Sequence, residues 1–149
     1  MTVPMIRDYT TADRYSCLAL FDANCPAFFA VNEREDYQRF LEQREPGDGY
    51  RVVEADGDVV AAFGVMRHDQ QTWLNWILVS PDLQRGGIGQ LMMADAMSMA
   101  RALCSPALSI AASQYSAPYF ARFGAEELSF TEHGFGPDMH RIDMRLDLA

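Results

Sequence analysis

Gln84-Arg85-Gly86-Gly87-Ile88-Gly89 stands between an apolar run and an amphipathic one, placing glycines at 86, 87 and 89 where a helix should begin. The first N–H groups of a helix have no partner inside it, and the helix dipole adds positive potential at that end. Glycine takes positive φ readily and lets an anion approach the chain without a Cβ in the way. The spacing therefore reads as an anion site made of backbone amides, with Arg85 as the side-chain cation in the loop. A glycine-rich connection with no ligand would have the same composition, because short glycine motifs are weakly specific.

Neighbouring residues remove two common readings of such a loop. A dinucleotide fingerprint needs another glycine three residues beyond Gly89, where the chain has Met92. A P-loop needs Gly-Lys-Ser/Thr, and the sequence contains no lysine: its 12 basic residues are all arginines. That absence also removes Schiff-base chemistry and leaves amides and arginine to hold an anionic ligand.

Val79-Ser80-Pro81-Asp82-Leu83-Gln84-Arg85-Gly86-Gly87-Ile88-Gly89-Gln90-Leu91-Met92 resembles the motif of the GNAT acyltransferase superfamily, Val-x-Pro, then Gln/Arg-x-x-Gly-x-Gly/Ala and an apolar helix. Ser116-Ala117-Pro118-Tyr119-Phe120-Ala121-Arg122-Phe123-Gly124-Ala125 resembles a later segment of the same family that ends in aromatic-x-x-x-Gly-Phe. The resemblance implies an α/β fold in which a mixed, mainly antiparallel central sheet splays at the cofactor site and about four helices flank it. It implies an N-acetyltransferase that moves an acetyl group from acetyl-CoA to a primary amine of a small molecule, directly, in a ternary complex and without a metal. By the same resemblance Gln84 and the amides of Arg85, Gly86, Gly87, Ile88, Gly89 and Gln90 take the CoA pyrophosphate. The backbone of Leu78 and Val79 takes the pantetheine arm, and Ser113 stands where an asparagine commonly contacts CoA.

The catalytic groups are harder to assign. An ammonium with a pKa of about 10 must lose a proton before it attacks a thioester, and the departing thiolate takes one up. Many relatives supply the acid from a tyrosine four residues before the late glycine, and this chain has Phe120 there. Tyr115 and Tyr119 are the nearby hydroxyls, although Tyr119 would point about 100° away around the helix. The central strand, where relatives often carry a glutamate base, has Asn75 and no carboxylate. Glu33, His68, Glu132, His133 and His140 remain, of which Glu33 and His140 are the catalytic candidates beside the two tyrosines. Each has a plainer alternative as a packed aromatic or a surface polar group.

Two segments are suited to form acceptor walls, 24–34 with Asn24, Phe28, Phe29 and Glu33, and 133–141 with Phe135 and His140. Aromatic surface with few placed polar groups is what an amine pocket requires. Two other functions stay open: an acyl-CoA-binding protein without turnover, suggested by Phe120, Ser113 and Asn75, and a protein or peptide N-acetyltransferase.

The elements that must position these residues follow from periodicity. A short strand at 3–7 leads to a helix from about Thr11, and a second helix runs from Asn32 or Glu33 to about Arg44. Residues 50–55 and 59–67 form a hairpin around Asp56-Gly57-Asp58, and 72–79 continue the meander. The helix after the glycine loop is followed by a strand at 107–112, a short helix at 116–123, and closing strands at 127–131 and 142–148. The expected order is β-α-α-β-β-β-α-β-α-β-β in one domain spanning the 149 residues. Asp95 interrupts the apolar stripe of the third helix without explanation at this level.

A net charge of −9 and a pI near 4.6 argue against nucleic acid as a partner. The longest apolar stretch, 59–66, is far too short to span a membrane, so a cytoplasmic protein is expected, with a homodimer left open. Cys17, Cys25 and Cys104 form neither an even set nor a C-x-x-C pair, which points to free thiols rather than disulfides or zinc.

Overall fold

The computed structural model describes residues 3–83 and 87–148, so Gln84, Arg85 and Gly86 of the expected anion loop lie outside the described residues. Strand β1 is Met5–Asp8, and a turn of 3-10 helix at Thr11–Asp13 leads into α1, Arg14–Ala23. Helix α2 is Glu33–Glu42, followed by β2 (Tyr50–Ala55), β3 (Asp58–His68) and β4 (Gln71–Val79). Helix α3 is Ile88–Ala102, β5 is Ala107–Ala112, α4 is Ala117–Ala121, β6 is Glu126–Gly136 and β7 is Met139–Asp147. The seven strands form one sheet in the order β1-β2-β3-β4-β5-β7-β6, antiparallel except where β4 meets β5.

Alternation along the strands feeds two cores, one on each face. Ala61, Phe63 and Val65 of β3 pack with Met92, Met93, Ala96 and Ala100 of α3, and with Phe120 of α4. Ala62 of β3 joins Val52 and Tyr50 of β2, Cys17, Leu18 and Phe21 of α1, and Tyr37 and Leu41 of α2 on the other face. Period-two side-chain placement gives a sheet flanked on both sides by helices.

Asp95 is half-buried in α3 and receives Nη1 of Arg51 at 2.9 Å, so the interruption in the apolar stripe is an ion pair to β2. Asp13 receives both terminal nitrogens of Arg7 at 2.8 Å, which holds its carboxyl below the usual range. The cysteines are free, with Cys17 buried, Cys25 half-buried and Cys104 exposed.

The structure departs from expectation at the C-terminal end. Segment 133–141 is not a loop between two short strands: β6 runs on to Gly136 and pairs it with Met139, leaving Pro137 and Asp138 at the tip. The register shifts between Thr131 and Gly136, and His133 has a φ of 54°. A bulge absorbs residues that would otherwise break the ladder. Helix α4 is shorter than the expected 116–123, since the chain leaves the helix before Gly124, whose φ is 100°.

Candidate active site

The site begins with a failure of strand pairing. Among the described residues β4 and β5 pair only at Trp73↔Ser109 and Leu74↔Ile110, after which the two strands diverge. Residues Asn75–Val79 therefore turn one edge of their backbone toward open space. Such an edge offers backbone amide groups to an extended ligand, although the Trp76 and Val79 carbonyls already accept from Tyr50 and Asn24.

Strand β4 also carries an irregularity that the sequence does not announce. Asn75 pairs with Gly64 and Leu78 with Ala62, so β4 has one residue more than β3 across this stretch. Trp76 occupies the bulge with a φ of 41°, an uncommon conformation for a residue with a side chain. The extra residue reverses the alternation: Leu74 faces the α3 core, whereas Trp76 and Leu78 face the α1–α2 core. The bulge thus re-aims the strand beside the splay.

A buried polar chain holds the bulge from below. The Tyr50 hydroxyl donates to the Trp76 carbonyl at 2.8 Å, and the Tyr37 hydroxyl lies 2.8 Å from that of Tyr50. Tyr50 finds room because residue 64 is glycine, since a Cβ there would collide with the tyrosine ring. Burial raises both phenols well above their ordinary pKa and pushes the Cys17 thiol up to about 12, so this layer stays uncharged.

The splay opens into a cavity of about 930 Å³ that reaches both faces of the sheet. On the α3–α4 side its walls include Gly89, Ser113, Tyr115, Pro118, Tyr119 and Phe120. On the α1–α2 side they include Asn24, Phe28, Phe29, Glu33, Trp76 and Phe135. Leu78 and Val79 line the passage between the two. At the head of the first compartment, Gly87 precedes α3 with a left-handed φ of 83° and open space where a Cβ would stand. A left-handed residue at a helix start turns successive N–H groups to one side, the geometry of an anion nest.

A family model described as the acetyltransferase (GNAT) family matches residues 17–125, most of the chain. The chain belongs to the GNAT acetyltransferase family. The fold is shared with a structure assigned to that family from Desulfovibrio desulfuricans, at 19% identity and a TM-score of 0.80, covering 99% of this chain and 100% of that one. The ribosomal-protein-S18-alanine N-acetyltransferase from Escherichia coli is similar at 16% identity and a TM-score of 0.79, covering 99% and 95%. An aminoglycoside 6′-N-acetyltransferase complexed with coenzyme A is similar at 8% identity and a TM-score of 0.75, covering 97% of each chain. A comparison with curated proteins gives no sequence match. No helix among the described residues is long and apolar enough to cross a membrane.

In this GNAT acetyltransferase the two distant segments meet. The Asn32 side-chain amide donates to the Phe135 carbonyl at 2.8 Å, and a Cβ on Gly136 would strike Asn32 and Ala30. Phe28, Phe29, Glu33 and Phe135 consequently share one compartment. Asn24 lines it too, but its amide donates to the carbonyls of Leu20 at 2.8 Å and Val79 at 3.0 Å, tying the end of α1 to the end of β4.

His140 does not line the cavity with the other residues of its segment. Strand alternation sends it the same way as Ile142, and its neighbour Arg141 lines the cavity instead. The His140 ring packs on Phe130 and His133, and its Nδ1 accepts the His133 N–H at 2.9 Å. His133, in turn, accepts the Asp138 N–H at 2.8 Å through Nδ1. Both histidines brace the bulged hairpin.

Glu33 is 7% exposed, and its Oε2 accepts the Ala30 N–H at 2.8 Å. Burial pushes its pKa up to about 7, with the Ala30 N–H acting in the opposite direction and Asp36 adding to the rise. Tyr119 places its hydroxyl over Gly89, where a Cβ would collide with it, and that oxygen is buried with no hydrogen-bond partner among the described residues. Burial pushes its pKa up to about 12. Tyr115 is 54% exposed at the rim of the same compartment.

Ser113 is buried, and its Oγ accepts the N–H groups of Tyr115 and Ser116, both at 3.2 Å, so much of its capacity goes to the entrance of α4. Ile88 is a core residue and Gln90 is exposed; neither side chain lines the cavity. Cavity-lining residues not singled out from the sequence are Trp73, Trp76, Arg44 and Arg141. Period-two alternation could have suggested Trp73 and Arg141; the displacement of Trp76 depends on the bulge.

Proposed function

We propose that this protein transfers the acetyl group of acetyl-CoA to the primary amine of a small molecule, directly, with both substrates bound in the cavity at the splay. The observation that carries the reading is the divergence of β4 from β5 after two residue pairs, which leaves a backbone edge between the Gly87 helix start and an aromatic compartment. The residues fit CoA: Gly87 leaves space for an anion at the α3 N-terminus, and the Tyr119 hydroxyl, without a partner among the described residues, offers a donor beside Gly89. In this reading α3 amides from Gly87 to Gln90 take the pyrophosphate together with Gln84, Arg85 and Gly86. The β4 backbone at Leu78 and Val79 takes pantetheine, with Ser113 across the splay.

Bound acetyl-CoA supplies an activated thioester carbon. A preorganised N–H beside the β4 bulge would stabilise negative charge as it develops on the acyl oxygen. Glu33 is the base, because a carboxyl raised to about 7 is both ionised near neutral pH and able to accept a proton from an ammonium. Its Oε2 stays with Ala30, leaving Oε1 toward the acceptor. Tyr119, drawn against the first turn of α3, belongs to CoA binding, so proton return to sulfur falls to Tyr115 or to water at the rim. Phe28, Phe29 and Phe135 hold the amine's apolar body and exclude water, which favours a near-attack arrangement.

A thiol-release assay with an amine panel, run beside calorimetry of CoA, tests this reading. Turnover on small amines with tight CoA binding is the expected result. CoA binding without thiol release on any amine would identify an acyl-CoA-binding protein, and release only on peptides would move the acceptor class.

A further inference from the structure

Arginine outnumbers carboxylate on the cavity wall of this acidic molecule, with Arg44 paired to Asp48 and Arg141 to Asp143. The chain has a net charge of −9, with 21 carboxylates against 12 arginines. Among the described residues, however, the cavity is lined by Arg44, Arg67, Arg122 and Arg141 and by a single carboxylate, Glu33. A pocket for a polycationic amine would need several carboxylates to offset the desolvation of each ammonium. This one has one.

Arg141 is built to meet an anion on the acceptor side. Its Nε and Nη2 both donate to Asp143 Oδ1, at 3.1 and 2.9 Å, and its Nη1 has no partner among the described residues. The guanidinium lies 6.0 Å from the Trp73 ring centroid and 5.9 Å from that of Phe135. Asp143 holds Nε and Nη2 and so orients the guanidinium, leaving Nη1 to a ligand carboxylate.

Resting on amine acetylation as the reaction, we infer that the acceptor is an aminocarboxylate with an apolar body, its amine at Glu33 and its carboxylate at Arg141. Phe28, Phe29 and Trp73 line the same cavity and suit the apolar side chain, which an α-amino acid carries on the carbon that bears both charges. The complement is one ammonium, one carboxylate and an apolar side chain, the pattern of a free apolar amino acid. A peptide N-terminus differs because the carboxyl next to its amine is an amide, with no charge for Arg141.

The test uses the full chain with saturating acetyl-CoA and thiol release as the readout. L-phenylalanine, L-phenylalaninamide, phenethylamine and spermidine are compared in the native protein, in Arg141→Gln and in Arg141→Lys. Phenylalanine should exceed phenethylamine and phenylalaninamide in kcat/KM by at least about tenfold, because Arg141 Nη1 then gains an anionic partner. Arg141→Gln should collapse that ratio, and Arg141→Lys should restore part of it. Equal or better use of phenethylamine, phenylalaninamide or spermidine would overturn the inference while leaving amine acetylation intact. If no amine turns over, calorimetry of phenylalanine against phenethylamine on the CoA-loaded protein decides. Selective phenylalanine binding lost in Arg141→Gln supports the inference, and no selectivity overturns it.

Discussion

Glu33 is a carboxyl held where its charge is disfavoured, and this couples activity to stability with opposite signs. Its pKa rises from 4.5 in an open chain to about 7 in the fold, so the folded state holds the proton more tightly than the unfolded state does. Stability therefore falls as pH rises from about 4.5 to about 7 and stays lower above that window. If Glu33 acts as the base proposed above, kcat/KM should climb as it ionises through about pH 7. Glu33→Gln keeps an acceptor for the Ala30 N–H and removes the charge. At pH 8 it should gain on the order of 1–3 kcal/mol of stability, seen as a higher Tm, and lose about a hundredfold in kcat. A variant of unchanged activity would remove Glu33 from the chemistry, and a loss of both would make it a packing residue. At the other end of the cavity, Gly87→Val introduces no clash but forces a β-branched residue to a φ of 83°. CoA affinity measured by calorimetry should fall at least about tenfold, and Gly87→Asn should lose less because asparagine tolerates that conformation.

The bulge in β4 is an element with a function because it decides which way the strand presents its groups. Tyr50 holds it by donating to the Trp76 carbonyl, and Tyr37 holds Tyr50. Tyr50→Phe should cost about 1–3 kcal/mol, the penalty for leaving a buried acceptor unmet. If the bulge aims the N–H that faces the acyl oxygen, kcat should fall while the acetyl-CoA KM changes little. Equal kcat in the native protein and Tyr50→Phe, with only Tm lowered, would confine the tyrosine pair to packing. The splay makes a separate claim on hydrogen exchange. Amides of 76–79 on the β5 side should slow when CoA is added, whereas those of β2, already paired on both sides with β1 and β3, should not. Unchanged exchange across β4 would argue against pantetheine lying along this edge.

Over the whole molecule, the cavity lies between two cores that share the sheet, so a ligand in the splay braces both faces at once. A ligand that binds only the folded state at 100 times its Kd adds about 2.7 kcal/mol. CoA at that excess should raise Tm by roughly 5–10 °C in a single transition, given a few degrees per kcal/mol for a domain of this size. Two separate transitions, only one of them shifted, would mean that the α1–α2 core and the α3–α4 core unfold independently.

Local pattern was enough for the element order, the hairpin at Asp56-Gly57, the helix after the glycines and the family, because these depend on periodicity, turn chemistry and contiguous motifs. Phe28, Phe29, Glu33 and Phe135 were legible as candidate pocket residues, but a well-packed loop and hairpin would carry the same types, and only the fold brings them to one cavity. Three features required the folded chain. Trp76 takes a left-handed φ without a glycine to signal it, because Gly64 and Tyr50 on neighbouring strands make and fill the space that the bulge needs. Arg141 lines the cavity and His140 does not because the long bulged hairpin fixes which neighbour faces it, and one residue of register reverses that choice. The base-like pKa of Glu33 comes from burial by groups distant in sequence, and desolvation is a property of packing that no residue type or spacing carries alone.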